Sequence, residues 1–297
     1  MKEQFIEHAF SKSSLDRLNL VNGILDEYNG LGFDLSLRQL YYQLVARGHI
    51  ENSQKSYKRL GDLISNGRKA GLVDWDMITD RGRERVANPH WANPADIVMA
   101  AYQSFRIDKW DDQPVRIEVM VEKDALSGVL GPICRDLDIP LTANKGYSSD
   151  SLMYGIGKRI EYLIDREQEV HILYLGDHDP SGIDMTRDVR ERLEMFSGHR
   201  LNVQRLALNR DQVDELNPPE NPAKETDSRF QAYFDLFGES SWELDAIEPR
   251  ALAALVEEAV AALPDEDLWD AAVEREEEMR RELKGFADNY GKNGKAK

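Results

Sequence analysis

The sequence predicts an α/β protein: a helical N-terminal unit, then a doubly wound parallel sheet, then C-terminal helices. From Val115 onward, β-rich apolar runs alternate with stretches of helical periodicity, the grammar of parallel βαβ units. Before that point the apolar residues recur at helical spacing. The length of 297 residues leaves room for two domains, at roughly 150 residues each.

The first segment, SSLDRLNLVNGILDEYNGLG, places Leu15, Leu18, Val21, Ile24 and Leu25 on one helical stripe and stops at glycines. A second helix starts after Asp34 or Ser36, covers LRQLYYQLVAR and ends at Gly48. SQKSYKRLGDLISNGRKAG gives one or two basic helices ending near Gly71. LVDWDMITD then looks extended, with Val73, Trp75 and Met77 alternating. Three short helices followed by a strand pair is the order of a winged helix, a helix-turn-helix variant that binds DNA. Asn88–Gln113 reads as connecting chain with one helical stretch, bounded by prolines and an Asp-rich end.

In the second half VRIEVMV, IPLTAN, VHILYLG and LNVQRLAL are strands. EKDALSGVLGPICRDLD, SDSLMYGIGKRIEYLIDRE and SGIDMTRDVRERLEMF are the helices between them. LNPPENPAKETDSRF reads as a Pro-rich loop and WELDAI as a short apolar piece. ALAALVEEAVAAL and DEDLWDAAVEREEEMRRELKGF close the chain as helices, with a frayed GKNGKAK end. Glu274, Glu276, Glu277 and Glu278, beside Arg280 and Arg281, read as a solvated face. The predicted domains are 1–95, a connector at 96–113, 114–250, and acidic helices at 251–297.

The net charge of −17 argues at first against nucleic acid, since phosphate binding needs Lys and Arg. The charge is uneven, however. Arg38 to Arg85 holds 10 basic and 6 acidic residues, net +4, whereas Asp211 to Lys297 holds 10 basic and 23 acidic, net −13. A local basic surface beside an acidic tail is compatible with DNA binding. Lys55, Lys58, Arg59, Arg68 and Lys69 are its candidate phosphate contacts. The single cysteine, Cys134, excludes a Cys-based zinc site and fits a reducing cytosol. No apolar run approaches the ~18 residues of a membrane span, and the N-terminus has no apolar signal core. A cytoplasmic, nucleoid-associated location is therefore expected.

Ligands of open α/β sheets sit at the carboxyl ends of the strands. Glu122 follows VRIEVMV directly, and Asp177 and Asp179 follow VHILYLG in GDHDPSG. Residues two apart in extended chain face the same way, so both aspartates can point into one pocket. Mg²⁺ takes oxygen ligands, typically one or two carboxylates with waters and phosphate oxygens. Asp179 before Pro180 also suits the N-cap of the next helix.

Glu-Lys after an apolar strand, then GDHDPSG after another, resembles the Toprim domain of topoisomerases, primases and related nucleases. GDHDPSGID in particular resembles the form in the A subunit of topoisomerase VI and in its meiotic double-strand-break relative. NKGYSS resembles a further element of that family, and the likeness covers roughly Leu37 to Ile247. It implies a Toprim-like sheet behind a winged helix, with Glu122, Asp177 and Asp179 holding Mg²⁺ (Mn²⁺ as a substitute) and Glu122 acting as general acid or base. It further implies a nucleophilic tyrosine in the position of SLRQLYYQLV. Helix geometry separates the two candidates. Tyr41 lies on the stripe Leu37, Leu40, Tyr41, Leu44, Val45 and should pack in the core. Tyr42 lies off the stripe's centre, one turn after Arg38, and should face away from the core, where Arg38 could steady a phosphate that Tyr42 attacks.

The resemblance thus implies Mg²⁺-dependent cleavage of double-stranded DNA through a 5′-phosphotyrosyl link. It also implies a homodimer with tyrosine and metal from different protomers, and a separate GHKL-type ATPase subunit. No phosphate-binding Gly-rich loop of the Walker kind is present, and the Gly155–Lys158 GIGK is too short to be one. The chain is shorter than typical A subunits and reads as a reduced, stand-alone version. Two alternatives stay open: a Toprim nuclease using metal-activated water, and a non-catalytic DNA-binding protein.

Overall fold

The computed structural model describes residues 2–78, 88–144 and 147–293. Its main sheet contains β1 (Val115–Val121), β2 (Leu141–Ala143), β3 (Glu169–Leu175) and β4 (Asn202–Ala207). All pairings are parallel, in the order β2-β1-β3-β4. The expected α/β class is what the chain forms. The chain leaves β1 for β2 on one side and returns as β3 on the other. The carboxyl ends of β1 and β3 therefore flank the switch in strand order, where such sheets leave a crevice.

Two helical layers cover the sheet, because successive side chains of a strand face opposite ways. Met120, Ile172 and Tyr174 point to the layer of α6 (Asp150–Asp165) and α7 (Pro180–Ser197), and bury Ile156, Ile160, Val189 and Leu193. Inside α6, Gly157 lets the two helices meet closely, since a Cβ there would stand 2.6 Å from Phe196. Val119, Val121, Leu173 and Leu175 face the other way, towards α5 (Ser127–Asp136) and α10 (Pro249–Ala261). That second core continues without a break into the N-terminal helices α1 (Lys12–Gly30), α2 (Leu37–Ala46) and α3 (Gln54–Lys69).

Helix ends follow the capping residues. Ser36 and Gln39 form a reciprocal capping box that starts α2. Asp179 caps α7, Pro180 follows it, and Gly198 at φ 74° ends the helix in the left-handed region. No helix among the described residues is long and apolar enough to cross a membrane.

Several segments depart from the sequence reading. Val73–Ile78 forms turns with a single bridge from Ile78 to Leu35, so the extended segment expected there is not a strand. Thr79 and Asp80 lie outside the described residues. The Pro-rich stretch is not all loop. Glu220–Pro222 is β5, antiparallel to β6 (Ser240–Trp242). Two unforeseen helices, α8 (Arg210–Leu216) and α9 (Phe230–Phe237), flank β5. The connector contains α4 (Pro94–Ser104), which packs on the long α11 (Glu266–Asn293). Glu276 is not on a solvated face: it is 9% exposed and binds Lys109 Nζ (3.2 Å) and Ile107 N–H (3.1 Å). Helix α11 continues to Asn293, and the rest of GKNGKAK lies outside the described residues.

Candidate active site

Glu122 and Asp177 meet at the switch point, and Asp179 lies near enough to raise the Glu122 carboxyl. Glu122 prolongs the β1 ladder by donating its N–H to Leu175 O (2.9 Å). Its Oε2 accepts the backbone N–H of Asp177 at 2.8 Å, which locks the two strand ends together. Two glycines leave space for this carboxylate. A Cβ at Gly176 would stand 2.9 Å from Glu122 Oε2, and one at Gly182 would stand 3.1 Å from it. Burial, then the neighbouring Asp177, pushes the Glu122 carboxyl up to about 7, with Asp179 adding to the repulsion. A group poised there can exchange protons near neutrality.

The two aspartates are otherwise engaged. Asp179 Oδ1 accepts from Gly182 N–H (2.6 Å) and Ser181 Oγ (3.0 Å), so it does cap α7. Asp177 Oδ1 accepts Leu244 N–H (2.8 Å), and Oδ2 pairs with Lys123 Nζ at 2.6 Å. Burial raises the Asp177 carboxyl, while Lys123 opposes the rise. Among the described residues no group of three or more His, Cys, Asp or Glu side chains is arranged to hold a metal ion. Mg²⁺ needs only one or two carboxylates, and a cation there would relieve the repulsion from Asp177 and Asp179 that raises the Glu122 carboxyl. Glu122 and Asp179 would be those ligands, with Asp177 tied to Lys123.

Sequence reasoning missed the residues that connect this cluster to the tyrosine helix. Lys123 also contacts Glu243 Oε2 (3.0 Å) and Asp245 Oδ2 (3.2 Å). Arg38 of α2 pairs with the same Glu243 oxygen and faces Asp245 Oδ2 at 3.5 Å. Both acids belong to the WELDAI piece, which had read only as apolar; its Trp242 exchanges backbone hydrogen bonds with His178 (both 2.9 Å). Lys123 was in view beside Glu122, but adjacency gave no partner.

Beneath the GDHDPSG loop lies another missed residue, Arg205 of β4. Its guanidinium donates to the carbonyls of Gly176 (3.0 Å), Asp177 (2.5 Å), Gly182 (2.9 Å) and Leu208 (3.2 Å), and to Thr186 Oγ1 (2.9 Å). A rigid five-donor fork is suited to pinning such a loop. His178, within the loop, is a packing residue. It is 1% exposed, shares a hydrogen bond with Tyr233 Oη (2.8 Å), and burial pushes it down to about 4. Of NKGYSS, Lys145 and Gly146 lie outside the described residues, and Tyr147 bonds Asp184 (3.0 Å).

Tyr41 packs in the core as expected, its hydroxyl held by Asn52 Oδ1 (2.9 Å) and the N–H of Ser53 (2.8 Å). Tyr42 does not face away from the core: it is 3% exposed. The cause is packing of α2 on more than one side, with Gln39 and Gln43 buried as well. The Tyr42 hydroxyl accepts from Asn221 Nδ2 of β5 (3.4 Å). Burial, then Glu243, raises its phenol, against the lowering effect of Asn221 and Arg38. Tyr42 lines a cleft of about 680 Å³ with Arg38, Asn52, Lys58 and Asn221.

Of the basic residues of α3, Lys55, Lys58, Arg59 and Lys69 are exposed, and Lys58 borders that cleft. Arg68 is not available as a surface contact. It donates to Trp75 O (2.8 Å) and Ile78 O (2.7 Å) and stacks on Trp75. Comparisons of this chain with protein families, curated proteins and solved structures give no match.

Proposed function

We propose that this protein cleaves DNA in a divalent-metal-dependent transesterification, with Tyr42 as nucleophile and Glu122 as the acid–base group. One observation carries the reading. Arg38, one turn before Tyr42, and Lys123, one residue after Glu122, share a carboxylate oxygen of Glu243, so the tyrosine helix and the acidic site belong to one charge network. Arg38 would face the phosphate that Tyr42 attacks. The raised phenol needs a base, a role Glu122 would take before returning the proton to the leaving oxygen; its carboxyl is pushed up to about 7 before a metal binds. Bound at Glu122 and Asp179, Mg²⁺ would supply charge stabilisation on the non-bridging oxygens. The exposed Lys55, Lys58, Arg59 and Lys69 would hold the flanking backbone of double-stranded DNA, in the role of a winged helix before a Toprim-like sheet.

The test is the covalent adduct trapped on supercoiled plasmid with Mg²⁺ or Mn²⁺. Wild type should form it and Tyr42→Phe should not. A homodimer and a GHKL-type ATPase subunit belong to the same proposal, with Tyr42 paired here to the acidic site of its own chain rather than a partner's; sedimentation and strand-passage assays address them.

The burial of Tyr42 favours a second reading, hydrolysis by a metal-activated water with Tyr42 incidental. In that case Tyr42→Phe cuts at the wild-type rate while Glu122→Gln does not. If the protein binds DNA but neither nicks nor links to it, the non-catalytic alternative is supported.

A further inference from the structure

We propose that Lys123 and Arg38 together form the phosphate-binding pair of this site, and that Glu243 holds their place when no phosphate is bound. The proposal rests on the DNA reading above but not on the identity of the nucleophile. Its basis is one atom. Glu243 Oε2 is shared by Arg38 Nη2 and, at 3.0 Å, by Lys123 Nζ. An anionic oxygen between a guanidinium and an ammonium is the arrangement a non-bridging phosphate oxygen would adopt.

The other contacts of the two cations show which partner exchanges. Asp245 has a side chain with 0% exposure, and it faces Lys123 Nζ at 3.2 Å and Arg38 Nε at 3.5 Å. Neither Asp245 oxygen has a hydrogen-bond partner, nor does Arg38 Nε. A buried carboxylate that faces both cations cannot leave without stranding its own charge and theirs, so Asp245 is the anchor. Lys123 is held from below a second time by Asp177 Oδ2 at 2.6 Å. Glu243, by contrast, is 23% exposed at its side chain, and Arg38, 43% exposed, opens into the cleft beside Tyr42. If Glu243 swings out, Arg38 can close the short gap to Asp245 and present its Nη atoms to the cleft. The exchange replaces one monoanion by another, so two cations and three carboxylates become two cations, two carboxylates and a phosphodiester.

The test is equilibrium binding of a fluorescent duplex oligonucleotide, in a Tyr42→Phe background and in EDTA so that neither the tyrosine nor a metal-activated water cleaves it, over a range of salt. Glu243→Gln removes the competing charge and should tighten binding by about tenfold. Lys123→Ala should weaken binding and lower the salt slope by about 1. In a protein that also carries Arg38→Gln and Lys123→Ala, Glu243→Gln should change nothing. Tightening that persists there would mean that any lost negative charge helps, and would overturn the proposal. Unchanged or weaker binding by a folded Glu243→Gln protein would also overturn it. If that variant does not fold, Glu243→Asp draws the carboxylate back by one methylene and should tighten binding about two- to threefold; no change there overturns the proposal. A wild type that gives no covalent adduct, alongside a Glu243→Gln gain, removes the tyrosine reading and leaves this one standing.

Discussion

Replacing Glu122 with Gln should stabilise the protein at neutral and alkaline pH while leaving it almost unchanged in acid. The Glu122 carboxyl lies at about 7 against an ordinary 4.5, because it is buried beside Asp177. Between those two pH values the folded protein binds a proton that the unfolded chain has lost. Stability must then fall as pH rises through that window, and the full loss is present above about pH 7. At about 1.36 kcal/mol per pKa unit this difference corresponds to ~3 kcal/mol. Gln has the same shape, and its amide oxygen can still accept the Asp177 N–H that Glu122 Oε2 accepts at 2.8 Å. Only the ionisable proton is removed. Urea unfolding followed by circular dichroism, in EDTA and at a series of pH values, measures the gap between variant and wild type. The gap should be small near pH 4.5 and approach ~3 kcal/mol in favour of the variant near pH 8. Mg²⁺ should then stabilise wild type more than the variant, by linkage. A gap that stays constant across the window, or that favours wild type at pH 8, would refute the account of Glu122 as a carboxyl held against its charge.

Two further expectations concern the scaffold of the loop. Gly182→Ala lies in the first turn of a helix, where Ala ordinarily gains about 1 kcal/mol, yet its Cβ would stand 2.3 Å from Asp177 O. It should therefore destabilise by about 1–3 kcal/mol. Gly155→Ala, in α6 with nothing within 4 Å of the new Cβ, should stabilise by about 0.5–1 kcal/mol. Thermal unfolding of the pair separates backbone propensity from local crowding. Arg205→Ala leaves the buried carbonyls of Asp177 and Gly182 without that donor, at about 1–3 kcal/mol each, while the Gly176 carbonyl keeps the Leu208 N–H (2.8 Å). Urea unfolding should show a loss of about 3 kcal/mol or more, and Arg205→Lys should recover less than half of it, lacking the fork.

The parts of the fold legible in the sequence are those whose signals are local. The strands at Val115–Val121 and Glu169–Leu175 end in apolar runs, Val119–Val121 and Ile172–Leu175, because helices cover both faces there. Helix α2 announces its start through Ser36 and Gln39. The β5–β6 pair was hidden for the converse reason. Each strand has three residues, one ends in Pro222, and they are joined through a helix of their own. No alternation can be seen over so short a span. Tyr42 was misplaced because a helical stripe describes one buried face, while α2 is covered on Gln39 and Gln43 as well. What covers those positions comes from elsewhere in the chain: Asn221, which reaches Tyr42, is 179 residues away.

The carboxylates at the strand ends were legible because strand topology alone puts them at the crevice; the ion-pair network around them was not. Lys123 and Glu243 are 120 residues apart, and Arg38 and Glu243 are 205 apart. Their pairing depends on where Ser240–Ala246 runs, and its course is set by the backbone of the site itself. Trp242 pairs with His178, and Leu244 donates its N–H to Asp177. Glu243 and Asp245, on either side of Leu244, then reach Arg38 and Lys123. The same few residues therefore fix the Asp177 carboxylate and the cations beside Tyr42. A shift of this strap moves both together, since its backbone is bonded to one and its side chains to the other. The acidic site and the tyrosine helix are mechanically one unit, although nothing local in either sequence motif refers to the other.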